Sequence, residues 1–343
     1  MDAIPVGLVG YGFGGSVFHA PLVRAEPRLR LRYVVTSRVE QIRRIPGAEP
    51  VATVAEVLAK PEVRLVIVTS PSGTHYEITR AALEAGKDVV VDKPFALRAA
   101  EADELMALAA RRKRMLTVFQ SRRWDGDFLT VRDLIGRGVL GTVSYYEARY
   151  DRFRLGVRQM WKEQPVAGSG ILYDLGSHLI DQALVLFGMP QAVTADVFPQ
   201  RNGAQAIDYF HLTLFYGRLR AILHSAMIVP YPGPHFTIHG DGGSFLKYGM
   251  DTQEATLKDG GMPGDPGFGH DDPSHYGELH LADGTCRKVE TIHGGYAEYY
   301  RLVAEAMEDG APPPVDPADS RDGLKVIEAA ARSAAAKQTI ELG

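Results

Sequence analysis

The chain has 343 residues, 45% hydrophobic and 23% charged, with a formal net charge of -4; this is the composition of an ordinary soluble globular protein and the length of two domains. The near-neutral balance excludes a basic field for nucleic acid or anionic lipid, and no apolar run reaches the ~18 residues of a membrane span. The single cysteine, Cys286, excludes an internal disulfide and a thiolate metal set, and no signal-peptide pattern precedes the first strand, so the cytoplasm is the expected compartment.

The chain opens on "IPVGLVGYGFGGSVFHAPLV". A short apolar run ends at Gly10, and Gly12 and Gly15 complete G-x-G-x-x-G before a helical pattern. Glycines at this spacing, between a strand and a helix, allow a tight turn, close approach of backbone to a pyrophosphate, and close helix–strand packing. The helix N-terminus then turns its amide groups toward the phosphates.

"LRLRYVVTS" reads as the second strand. In NAD-binding units an acid about 20 residues past the glycines holds the ribose 2′-hydroxyl. Here the corresponding stretch is Val35, Thr36, Ser37, Arg38, with no acid. A hydroxyl followed by a guanidinium suits a 2′-phosphate, so NADP is expected over NAD. The alternation continues with helix "TVAEVLAKPEV", strand "LVIVTSP", helix "THYEITRAALEAGK", strand "DVVVDKP", helix "RAAEADELMALAARR" and strand "MLTVFQ". The basic run 111–114 fits a solvated helix end. Residues 1–121 therefore read as a Rossmann-type, doubly wound parallel sheet. Lys93 stands just past the end of a buried strand, where open α/β sheets bind ligands, and it can hold or stabilise a reacting oxygen.

After "WDGDFLTVRDLIGRG" the chain turns strand-rich, and "DYFHLTLFYGRLRAILHS" reads as a hairpin turning at Gly217. Before those strands, "GILYDLGSHLIDQ" reads as a mostly apolar helix with Asp174 and His178 one turn apart and Asp181 on the neighbouring turn. The pair fits an acid–base device, half of a zinc site, or a polar spot satisfied within a core. Arg122, Arg123 and Asp125 follow the last Rossmann strand, and Tyr150, Arg158 and Trp161 are further candidates for lining a site. The Gly- and Pro-rich stretch 258–277 carries His270, Asp271, Asp272 and His275 without metal-ligand spacing, so no metal is expected. Cys286 falls on a turn and strand, and "APPPVDPADS" connects to a last helix.

The stretches "GYGFGGSVFHAPL", "VTSPSGTHYE", "GKDVVVDKPFAL" and "YDLGSHLIDQALVLFG" together resemble the Gfo/Idh/MocA family of oxidoreductases, over nearly the whole chain. The family's Glu-Lys-Pro hallmark is Asp92-Lys93-Pro94 here, and its Asp–His pair falls on Asp174 and His178. The resemblance is greatest to the NADP-dependent scyllo-inositol dehydrogenase branch. It implies an N-terminal Rossmann domain and, over 122–343, an α/β domain for substrate binding and oligomerisation, built on a large open, mostly antiparallel sheet. It also implies that Lys93, Asp174 and His178 are catalytic and act together across an interdomain cleft. Cofactor contacts would come from Gly10, Gly12, Phe13, Gly14, Gly15, Ser37, Arg38, Ser70, His75, Lys93, Pro94 and Trp161. Substrate contacts would come from Arg122, Tyr150, Asp174, His178 and Asp181. The implied substrate is a small polyol or sugar, and the implied assembly a homodimer or homotetramer. Reduction of another ketose, anhydro-ketose or imine, or a non-catalytic nucleotide sensor, are the alternatives at this point.

Overall fold

The structure, a computed structural model, describes residues 3–342. Its α-carbon contacts divide the chain into two compact units. Among the described residues, the first comprises 3–124, 252–268 and 295–321; the second comprises 125–251, 269–294 and 322–342. The second half of the chain is thus shared between the two units. The reason is packing. Leu257, Tyr296, Tyr299, Tyr300, Val303 and Val315 are buried in one cluster with Val6, Leu8, Leu22 and Ile67, so they complete the core of the first sheet.

That sheet has six strands: β1 (Ile4–Val9), β2 (Leu29–Val35), β3 (Glu49–Val51), β4 (Leu65–Val68), β5 (Asp88–Asp92) and β6 (Leu116–Phe119). They lie in the order β3-β2-β1-β4-β5-β6 and all pairs are parallel. This is the doubly wound order whose switch point, between β1 and β4, is where dinucleotides bind. The runs in β4 and β6 are buried at every position, as strands covered on both faces by helices must be. The helices of this unit are α1 (Ala20–Ala25), α2 (Val39–Arg43), α3 (Val54–Leu58), α4 (His75–Glu84) and α5 (Ala99–Arg112).

The second unit begins with α6 (Gly126–Gly136) and β7 (Val143–Arg149), and α7 (Ser177–Phe187) precedes a run of strands. These are β8 (Ala192–Phe198), β9 (Tyr209–Tyr216), β10 (Leu219–Ala226), β11 (Phe236–Gly240), β12 (Gly243–Lys247), β13 (Gly277–Leu281), β14 (Cys286–Val289) and β15 (Ile340–Glu341). Together with β7 they form a nine-stranded sheet ordered β14-β13-β12-β11-β7-β10-β9-β8-β15, antiparallel except for β7 beside β10. The β9–β10 hairpin turns at Gly217, which adopts a φ of 57°. Burial alternates along β9, as expected for a strand with one covered face. On that covered face Phe187 of α7 meets Tyr146 with ring centroids 5.3 Å apart.

Three further helices belong to the redistributed half. They are α8 (Gln253–Lys258), α9 (Ala297–Asp309) and α10 (Pro317–Ala336). Among the described residues no helix is long and apolar enough to cross a membrane.

Candidate active site

The first unit carries a nucleotide cradle at its switch point. Gly10 ends β1 with a φ of 101°, and a Cβ there would lie 2.8 Å from the Thr69 carbonyl beyond β4. A Cβ on Gly15 would lie 2.3 Å from the Gly10 carbonyl, so only glycine lets the helix begin this close to the strand. At Gly14 a Cβ would meet Thr69 Oγ1 at 2.6 Å and Asp92 Oδ2 at 2.7 Å. Above Gly12 the space is open. Backbone that is tightly packed below and open above is what a pyrophosphate requires, so these residues fit a dinucleotide. The helical segment over Gly14–His19 is a π turn rather than the expected α-helix, and α1 follows it.

Ser37 and Arg38 lie exposed just past β2. The Arg38 amide donates to Thr36 Oγ1 at 2.9 Å. Burial raises the Tyr11 hydroxyl above its ordinary pKa, while the charges of Arg24 and Arg38 pull the other way. The sequence reading did not single out Arg24.

Lys93 follows β5 directly, and its bond to Pro94 is cis. The Lys93 amide donates to Asp92 Oδ1 at 2.8 Å, and Thr69 Oγ1 donates to Asp92 Oδ2 at 3.1 Å. His19 Nε2 lies 3.6 Å from Asp92 Oδ2, and its Nδ1 lies 2.6 Å from the Tyr300 hydroxyl. Burial on its own pushes the Asp92 carboxyl up; the His19 ring, with Lys93 and His75, outweighs it and holds the carboxyl at about 2. Asp92 is thus a fixed anion under the lysine backbone. His75 is enclosed, its ring nitrogens each 2.8 Å from a carbonyl oxygen, Pro94 and Ser70 respectively. Burial pushes its pKa down. His75, named from the sequence as a cofactor contact, joins the turn after β4 to the turn after β5 and so holds the Lys93–Pro94 corner. Ser70 Oγ bonds Thr74 Oγ1 at 2.6 Å. Arg122, named for substrate, is buried: it donates to the Tyr296 hydroxyl at 2.8 Å and pairs with Glu254.

In the second unit, the helix read from the sequence is present but starts differently. Leu172–Gly176 is a π turn, and α7 proper begins at Ser177. Asp174 therefore lies on the wide turn and His178 on the regular helix. Lys162 Nζ donates to Asp174 Oδ1 at 2.6 Å. Trp161 precedes that lysine on a short turn of a long irregular strap. The buried Arg201 holds this strap: it donates to Glu163 Oε2 at 2.9 Å, to Asp208 Oδ2 at 2.7 Å, and to the Arg154 and Gly156 carbonyls. His178 and Asp181 are both buried on α7. Tyr150, just past β7, places its ring 6.4 Å from that of His178 and 5.1 Å from that of His235. His235 Nδ1 lies 2.5 Å from the Arg149 carbonyl and Nε2 3.6 Å from Asp127 Oδ2. The unit thus gathers two imidazoles, a phenol and carboxylates in a largely buried setting.

The sequence reading did not single out Lys162, Arg201 or His235. Lys162 had a local signal, since it adjoins Trp161; the others had none. In the long loop, Asp271 takes Lys247 Nζ at 2.9 Å and the Thr291 hydroxyl at 2.8 Å, a structural tether. Cys286 is exposed on β14.

Comparison with known proteins agrees with this construction. The NAD-binding Rossmann-fold model of the Gfo/Idh/MocA oxidoreductase family matches residues 4–120, and the C-terminal alpha/beta-domain model of the same family matches 132–342. The chain is 46% identical to scyllo-inositol 2-dehydrogenase (NADP+) of Bacillus subtilis, covering 100% of this chain and 97% of that protein. An oxidoreductase structure from Bacillus subtilis superposes with a TM-score of 0.97 at 45% identity, covering 100% of this chain and 99% of the other. One from Yersinia pestis gives a TM-score of 0.94 at 37% identity, covering 100% and 98%.

Proposed function

Because the chain belongs to the Gfo/Idh/MocA family of oxidoreductases, we propose that it is an NADP-dependent dehydrogenase of a cyclitol or sugar secondary hydroxyl, with scyllo-inositol and its 2-keto form as the leading pair. The observation that carries this reading is Lys93. An ammonium stands at the carboxyl end of β5, its backbone held by the ionised Asp92, in the same unit as the glycine cradle. Identity of 46% to an NADP-dependent scyllo-inositol 2-dehydrogenase supports the substrate class. Exposed Ser37 and Arg38, without an acid after β2, support the 2′-phosphate.

When bound, the nicotinamide supplies the hydride acceptor. The protein's own groups manage the proton and the charge. Lys93 donates a hydrogen bond to the reacting oxygen and stabilises negative charge as its proton leaves. His178 takes that proton, since an imidazole titrates near neutral pH. Asp174, held by Lys162, supports the resulting imidazolium. Tyr150 and Asp181 are assigned to the substrate hydroxyls, and Trp161 to the cofactor. In the reductive direction the same groups act in reverse. The reading places the protein in the cytoplasm as a homodimer or homotetramer, associated through its large sheet.

The test is turnover of scyllo-inositol, myo-inositol and glucose, each with NAD and NADP, followed by cofactor absorbance. Scyllo-inositol with NADP is expected to be the fastest pair. Lys93→Ala is expected to lower kcat/KM by about 10²–10⁴ while NADPH still binds. Undiminished turnover in that variant overturns the assignment. Tight NADPH binding with no turnover of any polyol would leave a nucleotide-binding protein of another kind.

A further inference from the structure

The glycine loop receives a cation from far along the chain. Helix α8 joins the first unit, and its attachment is rigid. Gln253 is fully buried; its Oε1 accepts the Tyr296 amide at 2.7 Å and its Nε2 donates to the Trp124 carbonyl at 3.1 Å. Leu257 is buried in the core of the unit. Glu254 pairs with both Arg122 and Lys258. Lys258, the last residue of α8, places Nζ over the Phe13 ring, 5.3 Å from its centroid.

Phe13 lies between Gly12, above which there is open space, and Gly14. It is 52% exposed. Two cations and one carboxylate leave the cluster with a net positive charge, and its ammonium faces the ring of this loop residue. An ammonium has three donors, and Glu254 accepts at Lys258, so the side chain retains hydrogen-bonding capacity for a second anion. We propose that Lys258 is a cofactor-binding residue that contacts the pyrophosphate over the glycine loop. The inference rests on the first unit being a dinucleotide site. It differs from a mere match of a lysine to a helix C-terminus, because that role would leave nucleotide affinity unchanged. Glu254 and Phe13 set the position from which Lys258 acts: one holds the ammonium by charge, the other by the face of its ring.

The experiment measures binding rather than turnover. NADPH is titrated by fluorescence, and ADP-ribose is titrated in competition; the latter has the pyrophosphate but neither 2′-phosphate nor nicotinamide. Lys258→Gln is expected to weaken both ligands by about tenfold, as for loss of one charge-assisted hydrogen bond, and Lys258→Arg to restore most of it. Thermal melts of each variant check that the fold is retained. Wild-type affinity for ADP-ribose in Lys258→Gln overturns the proposal. So does weakening confined to NADPH, which would move the lysine to the 2′-phosphate. If the protein prefers NADH, the NADP reading fails while the ADP-ribose comparison still reports on Lys258. If wild-type protein binds no ADP-ribose, both the dinucleotide site and the proposal fall.

Discussion

Glu254 is a carboxylate whose ionisation holds two basic side chains. Burial alone raises its pKa; the Arg122 and Lys258 charges outweigh that and hold it at about 2. A carboxyl with a depressed folded-state pKa stabilises fully above the unfolded value near 4.3 and loses that contribution as pH falls toward about 2. The melting temperature of the wild-type protein should therefore fall through this acid window more steeply than that of Glu254→Gln, which has no proton to gain there. Parallel melts from pH 6 to 2 check it, and equal slopes would show the pair to be inconsequential. At this scale the glycines were legible from sequence, because a positive φ at Gly10 and a forbidden Cβ at Gly15 are local constraints. Lys93 was legible for the same reason, being placed by the strand it follows. Lys258 and His235 were not, since their significance comes from neighbours brought in by folding.

Strands were the most legible elements. The strand-rich character of the second sheet and its β9–β10 hairpin were foreseen, because period-two alternation and glycine turns are local signals. Two helical turns that carry candidate site residues, Gly14–His19 and Leu172–Gly176, were foreseen as helix but not as π turns. Hydrophobic spacing cannot separate bonding to the fifth residue from bonding to the fourth over so short a span. The strap carrying Trp161 and Lys162 has no regular pattern at all; its order is imposed by Arg201 from outside. Arg201→Met would leave the buried Asp208 carboxylate without its guanidinium, and breaking a buried pair in this way costs about 3–5 kcal/mol. A lowered denaturation midpoint is expected, together with reduced kcat/KM as Lys162 loses its fixed approach to Asp174. A variant with wild-type stability would show that the strap is held by other means.

Which sheet the late helices pack against was the least legible feature. The sequence placed a boundary where the last βα repeat ends, and nothing in "EYYRLVAEAMED" says which sheet that amphipathic helix will cover. In the structure α9 buries Tyr299, Tyr300 and Val303 against the parallel sheet. A fragment ending at residue 124 should therefore lack part of its core. It is expected to show reduced near-ultraviolet circular dichroism, bind hydrophobic dye, and fail to bind NADPH. A well-folded, cofactor-competent fragment would overturn this account of the unit. The same arrangement has a temporal consequence. On a ribosome, the six strands of the parallel sheet emerge long before the residues that close their core. At roughly 5–20 residues per second, reaching Val315 takes on the order of ten to forty seconds more. For that interval the nascent chain holds an unfinished nucleotide unit with open apolar surface, while the second sheet is being made. The core of that unit can therefore close only near the end of synthesis.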